Sequence, residues 1–321
     1  MGIAMAVNGY SYWGIATQSI VYVLVRGVVC WYFTPWRPSL KINFAPLKYL
    51  FAFSYRLLIT NLFQRFNWNI FSFILGKYYS RTDVGNYTKS AEWFNMGGEV
   101  VNGMVNAVSQ PVLAKVVEDD ERQLRVFRKM LRFTVFVAFP LMLGMSLVSE
   151  ELITVVIGAK WLESAKMLKI LAVWGAFMPI QSMQTNLLVS RGRSRIFMWG
   201  TIVQGLLTLS ILLAMSFFGI KMMLVAYCVF NILWLFVWNF FVKKEIRLSY
   251  AMFIKDILPY MVLAIVVMCT TSYMTTFVDN IYILLISKIA TAASLYIFIA
   301  YIIRSEELFE IMNFLFKRKR Q

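Results

Sequence analysis

The feature that most constrains this chain is a succession of apolar runs about twenty residues long, separated by short polar connections. A hydrocarbon layer of roughly 30 Å takes about twenty helical residues to cross, and within it only helices and closed barrels satisfy their own backbone. Windows of that length mark spans at Tyr12–Phe33, Tyr49–Leu75, Tyr87–Ala114, Met130–Leu147, Ala165–Val189, Phe197–Phe218, Met222–Phe241, Ile254–Thr271 and Ile281–Ile303, with part of a further helix at Met1–Val7. The expected fold is all-α, a polytopic transmembrane helical bundle of nine spans plus an N-terminal remnant.

Sixty per cent of the residues are apolar and 15% charged, yet the formal net charge is +16. The cations gather in the connections between apolar runs and form no isolated basic face, so they signal topology, and nucleic acid is not an expected partner. The absence of histidine excludes His-dependent zinc sites and Ser-His-Asp or Cys-His triads. Cys30, Cys228 and Cys269 lie singly in apolar segments, without partners at metal-ligand or redox spacing. No metal or cofactor is expected, and the chain does not read as an enzyme. The first residues carry no basic region or cleavage site of a signal peptide and no myristoylation motif.

Positive charge alternates from one connection to the next. One set holds twenty-one Lys and Arg residues, including Arg37, Lys48, Lys115, Arg122 to Arg132, Arg191 to Arg195, Lys243 to Lys255 and the end of the chain; the other holds seven. The positive-inside rule assigns the first set, and with it the C-terminus, to the cytoplasm. The expected organisation is 1–42 as the remnant of an N-terminal lobe, 43–249 as a lobe of six spans, 250–303 as two additional spans, and 304–321 as a basic amphipathic tail at the cytoplasmic face.

Tyr87–Ala114 is the most informative span. Glu92, Asn95, Glu99, Asn102, Asn106 and Gln110 recur every three or four residues, and at about 100° per residue they fall within roughly 80° of the helix circumference. Lipid cannot satisfy such a stripe, which faces either a wet cavity or neighbouring helices that hydrogen-bond to it. Glu92 and Glu99 are candidates for binding a coupling proton or cation, Glu99 being the deeper. On the preceding span Ser54, Asn61, Gln64, Arg65 and Trp68 share a side. Arg65 lies too far from either end to reach water easily, and would either attract an anion or pair with a carboxylate such as Glu99. Arg26 also falls inside a span, whereas Arg56 and Lys288 read as snorkelling or locally paired cations. Pro140, Pro179 and Pro259 mark kinks or hinges.

A series of short motifs then carries a resemblance. They run Asn8-Gly9-Tyr10-Ser11-Tyr12-Trp13, Leu24-Val25-Arg26, Trp36-Arg37-Pro38, Phe51-Ala52-Phe53-Ser54-Tyr55-Arg56-Leu57-Leu58, Leu75-Gly76-Lys77-Tyr78-Tyr79 and Asp83-Val84-Gly85-Asn86-Tyr87. Pro111-Val112-Leu113-Ala114-Lys115, Phe139-Pro140-Leu141, Gly158-Ala159-Lys160-Trp161 and Gly192-Arg193-Ser194 follow. In this order the chain resembles the polysaccharide transporter family, the Wzx-type O-antigen and exopolysaccharide flippases of the multidrug/oligosaccharidyl-lipid/polysaccharide exporter superfamily. The resemblance implies two helical lobes around a cationic cavity that opens alternately inward and outward in a bacterial inner membrane. It implies an undecaprenyl-diphosphate-linked oligosaccharide as substrate, met by arginines such as Arg26 and Arg65 at the diphosphate and by Asn, Gln and aromatic side chains at the sugars. A polysaccharide polymerase and a chain-length regulator are the implied partners.

Members of that family have twelve to fourteen helices, and this chain starts near the fifth, so it reads as a fragment, a mis-started product or one part of an assembly. Other readings are a glycan polymerase or ligase, which would want a larger outer loop, and another exporter of the superfamily.

Overall fold

The computed structural model of the protein describes residues 11–34 and 45–318. The Met1–Val7 remnant, the Asn8-Gly9-Tyr10 and Trp36-Arg37-Pro38 motifs, the Arg56 side chain and the last basic residues lie outside the described parts. The chain divides into two units, Met1–Ala52 and Phe53–Gln321. The first contains α1, Ser11–Phe33, and the first residues of α2, Ala45–Tyr78.

The second unit continues α2 and adds α3 (Arg81–Lys115), α4 (Asp120–Ile157), α5 (Leu162–Gly175), α6 (Met178–Ser190), α7 (Ser194–Met215) and α8 (Ile220–Ile246). α9 (Tyr250–Met274), α10 (Ile281–Ile302) and α11 (Glu306–Arg318) complete it, and among the described residues there is no strand. This is a helical membrane bundle, with five described helices long and apolar enough to cross a bilayer: α4, α7 with its 3-10 extension, α8, α9 and α10. α2 and α3 are as long, at 34 and 35 residues, but their polar stripes dilute the apolar signal. The expected single span at Ala165–Val189 is instead two helices, α5 and α6. Pro179, in the first turn of α6, has no N–H to continue the ladder, and the chain turns through Phe177, whose N–H bonds Trp174 O at 2.9 Å.

Polar residues set the helix starts. Ser80 and Asp83 form a reciprocal capping box at α3, Asp119 accepts the Arg122 N–H at 2.9 Å to start α4, and Ser249 and Asn280 cap α9 and α10 in the same way. Gly158 and Gly192 turn the chain at φ +97° and +72°, values that L side chains avoid. Several motifs of the sequence therefore mark junctions between helices.

α4 is the spine, packing against α3 and α5 on one side and α9 and α10 on the other. Leu131, Phe139 and Met142 of α4, Leu168 of α5 and Met183 of α6 are fully buried between these helices. Pro140 interrupts the α4 ladder and leaves the Phe136 carbonyl without its helical donor. Tyr296 of α10 supplies the replacement, its hydroxyl donating to Phe136 O at 2.8 Å. Elsewhere glycine permits close approach: a Cβ at Gly205 of α7 would overlap the Asn67 amide of α2.

Candidate functional site

The α3 stripe sits at the edge of that helix's buried face, and its members divide accordingly. Counting about 100° per residue, Asn95, Asn102 and Asn106 lie roughly 40–80° from Glu92 toward the buried side, while Glu99 and Gln110 lie within about 20° of it. On the inner edge α3 packs against α6. Ser182 donates to Asn102 Oδ1 at 3.2 Å, and Asn186 donates to Asn106 Oδ1 at 3.0 Å and to the buried Ser109 hydroxyl at 2.7 Å. Asn95 is half-buried. On the outer edge Glu99 and Gln110 are exposed, and Glu92, also exposed, pairs with Lys89 at 2.7 Å. The stripe is thus part interhelical glue and part open polar surface, and Glu99 is not the buried carboxylate that its depth along the helix suggested.

On α2, Asn61, Arg65 and Trp68 are exposed and Gln64 is half-buried. Among the described residues no hydrogen bond or ion pair joins this face to the α3 stripe, and Arg65 and Glu99 do not pair. Arg26, in the other unit, is exposed on α1. Lys288 contacts Glu151 of α4.

The polar surface has an interior continuation that sequence reading missed. Gln181 of α6 donates to Gln204 Oε1 of α7 at 3.2 Å, Gln204 donates to Asn231 Oδ1 of α8 at 2.9 Å, and Asn231 returns to Tyr227 O at 2.8 Å. Gln184 donates to Leu235 O of α8 at 3.2 Å. The signal was readable, since Gln181, Ser182, Gln184, Thr185 and Asn186 crowd into one apolar window. Amides whose hydrogen bonds close on one another can stay inside a membrane bundle, so α6 carries polar contacts on both its sides.

Two ends bracket this seam. At the Lys/Arg-rich end, hereafter the basic end, Gln123 is fully buried, donating to Leu113 O at 2.8 Å and accepting from Arg191 Nε at 2.6 Å. Arg191 also meets Asp120 at 2.5 Å and Glu245 at 3.7 Å, and Arg193 meets Glu245 at 2.8 Å. At the far end Tyr79, between α2 and α3, donates to Ser216 O at 2.6 Å, and burial holds its phenol above the ordinary range, so it remains a donor. Among the described residues no group of three or more Cys, Asp or Glu is placed to hold a metal ion.

Comparison with known proteins gives four findings. Residues 1–166 match the family model described as "Polysaccharide biosynthesis protein". The chain is 24% identical over 243 residues to the teichuronic acid biosynthesis protein TuaB of Bacillus subtilis, covering 74% of this chain and 50% of that protein. It is 26% identical over 199 residues to the lipopolysaccharide biosynthesis protein WzxC of Escherichia coli K12, covering 60% and 40%. In fold it is similar to the lipid II flippase MurJ in an inward closed conformation, with a TM-score of 0.71, 17% identity, and coverage of 94% of this chain and 64% of that one. The chain spans about half the length of the curated relatives it matches or less.

Proposed function

Because this chain belongs to the polysaccharide biosynthesis protein family of polysaccharide transporters, we propose that it forms part of a non-enzymatic flippase for lipid-linked oligosaccharides. The cargo is an undecaprenyl-diphosphate-linked repeat unit, carried from the cytoplasmic to the periplasmic leaflet of a bacterial inner membrane by alternating access. The observation that carries this reading is the open outer edge of the α3 stripe, with Glu99 and Gln110 exposed on a helix of membrane length. Hydrocarbon does not tolerate exposed carboxylates and amides, so water and a polar cargo belong on that side.

In this reading the chain crosses the membrane nine times, with α5 and α6 together making one discontinuous crossing, and its C-terminus is cytoplasmic. Arg65 meets the diphosphate through charge-assisted hydrogen bonds, and Arg26 of the first unit is an anion-attracting residue in its own right. Asn61, Gln64, Asn106 and Gln110 meet sugar hydroxyls, and Glu99 with Glu92 takes up the coupling ion. Asn95 and Asn102 support this wall from its inner edge. The names of TuaB, a teichuronic acid biosynthesis protein, and WzxC, a lipopolysaccharide biosynthesis protein, favour an extracytoplasmic glycan as cargo. A polymerase and a chain-length regulator act on the delivered units.

The test is rescue of O-antigen display in a bacterium lacking its own flippase, using the gene with any upstream in-frame sequence. Restored display is expected, with Arg65→Ala and Glu99→Gln each lowering it at unchanged protein level. Full rescue by both variants would remove these residues from the mechanism, and no rescue by the wild type would remove the function.

A further inference from the structure

The last three helices are tied to the rest of the molecule almost entirely through one face of α4, and the ties differ at its two ends. Among the described residues every ion pair joining 250–318 to the preceding chain has its partner on α4. Among the described residues, apart from the Ser249 cap of α9 and a 3.4 Å hydrogen bond from Tyr250 to Phe236 O, every side-chain hydrogen bond across that boundary also ends on α4. In lipid the hydrophobic effect does not hold helices together, so these polar links act beside van der Waals packing in setting where the C-terminal helices sit.

At the basic end the links are many. Arg128 grips Asp256 with two hydrogen bonds of 2.7 and 2.9 Å, and the Asp256 side chain is only 3% exposed. Arg132 lies 3.6 Å from both Glu306 and Glu307, Lys129 meets Glu310 at 2.6 Å, and Tyr260 donates to Glu307. Mid-helix, Tyr296 holds the Phe136 carbonyl.

At the far end, among the described residues, a single ion pair joins these helices to α4: Glu151 with Lys288, whose side chains are 11% and 13% exposed. Lys288 is the one charged residue of α10. Of the other charges of that end, Glu150 pairs with Lys169, Glu163 with Lys166 and Lys89 with Glu92, Asp83 is taken up in the α3 cap, and Lys77, Arg81, Lys160, Lys221 and Asp279 are exposed. The second carboxylate oxygen of Glu151 is buried without a partner. Lys288 lies seven residues from the start of α10, about 10 Å along the axis, so a released ammonium can snorkel to the interface. Parting the pair therefore costs little on the lysine side, and the cost falls on the Glu151 carboxylate that is left behind.

We propose that α9–α11 form a unit that pivots on its basic end, with Glu151–Lys288 as the catch that holds its far end against α4. The more numerous links at the basic end serve as the hinge. Glu151 and Lys288 act as positioning residues.

The experiment uses spin-label distances in detergent or nanodiscs, on a chain whose Cys30, Cys228 and Cys269 are replaced by serine. One label pair, Lys160→Cys with Asp279→Cys, spans the far end; another, Arg125→Cys with Lys255→Cys, spans the basic end. Lys288→Met and Glu151→Gln are each expected to lengthen and broaden the far-end distance while leaving the basic-end distance unchanged. Lys288→Arg and the exchange Glu151→Lys with Lys288→Glu are expected to restore it. An unchanged far-end distance in either single variant, equal changes at both ends, or failure of the exchange to restore the distance would each overturn the proposal. If Lys288→Met does not yield monodisperse protein, Glu151→Gln provides the same reading.

Discussion

Pro140 shows how one residue creates a requirement that another, far away in sequence, meets. The proline removes a donor from α4, and the Tyr296 hydroxyl fills the vacated carbonyl. Tyr296→Phe is therefore expected to cost about 1 kcal/mol, and most of that cost should vanish in a Pro140→Ala background, where the helix regains its own N–H. A double-mutant cycle by denaturant titration in micelles measures the coupling, and equal costs in the two backgrounds would contradict the pairing. At Gly205 the constraint is space alone: Gly205→Ala is expected to lose about 1–3 kcal/mol from displacement of the Asn67 side chain, read as a lower melting temperature. The sequence displayed Pro140 and Gly205 plainly but not their partners, because no local pattern links residue 136 to 296 or residue 67 to 205.

At the scale of the element, α3 was the most legible part of the chain and also the part most changed by the structure. Its polar stripe was visible from spacing, but the division of the stripe depends on where α6 lies. α6 packs against α3 and presents Ser182 and Asn186 to it, so that Asn102 and Asn106 find partners there while Glu99 and Gln110 stay exposed. Asn102→Ala should therefore destabilise the protein by about 0.5–1.5 kcal/mol, whereas Glu99→Gln should leave the melting temperature unchanged within error. A stability loss at Glu99 equal to that at Asn102 would mean that the whole stripe serves packing. The amide chain through Gln181, Gln204 and Asn231 shows the reverse case: each amide alone looks like a blemish in an apolar run, and only their meeting gives them a role.

For the whole molecule, the membrane bundle follows from apolar run length, which is a property of composition and order and needs no tertiary information. Helix junctions were legible only in part: the expected span Met130–Leu147 is the middle of a helix that runs Asp120–Ile157, and the break between α5 and α6 was not foreseen. The two-sided character of α4 was hidden, because a helix buried on both faces reads only as apolar. The charge bias predicts orientation: with the native cysteines replaced, a cysteine at Asp279 should react with an impermeant maleimide added to intact cells, and one at Arg193 should react only after permeabilisation. Labelling in the opposite sense would invert the topology.

Lys288 also bears on how the chain is made. As α10 leaves the translocon it carries one ammonium into hydrocarbon, a charge that costs about 2.5–3.5 kcal/mol at the centre of a lone inserting helix and less toward its end. Its counter-charge, Glu151, belongs to a helix synthesised more than a hundred residues earlier. Stable insertion of α10 thus favours a nascent chain in which α4 is already in place and waiting at the exit, so the pair that fixes the finished molecule also orders its biogenesis.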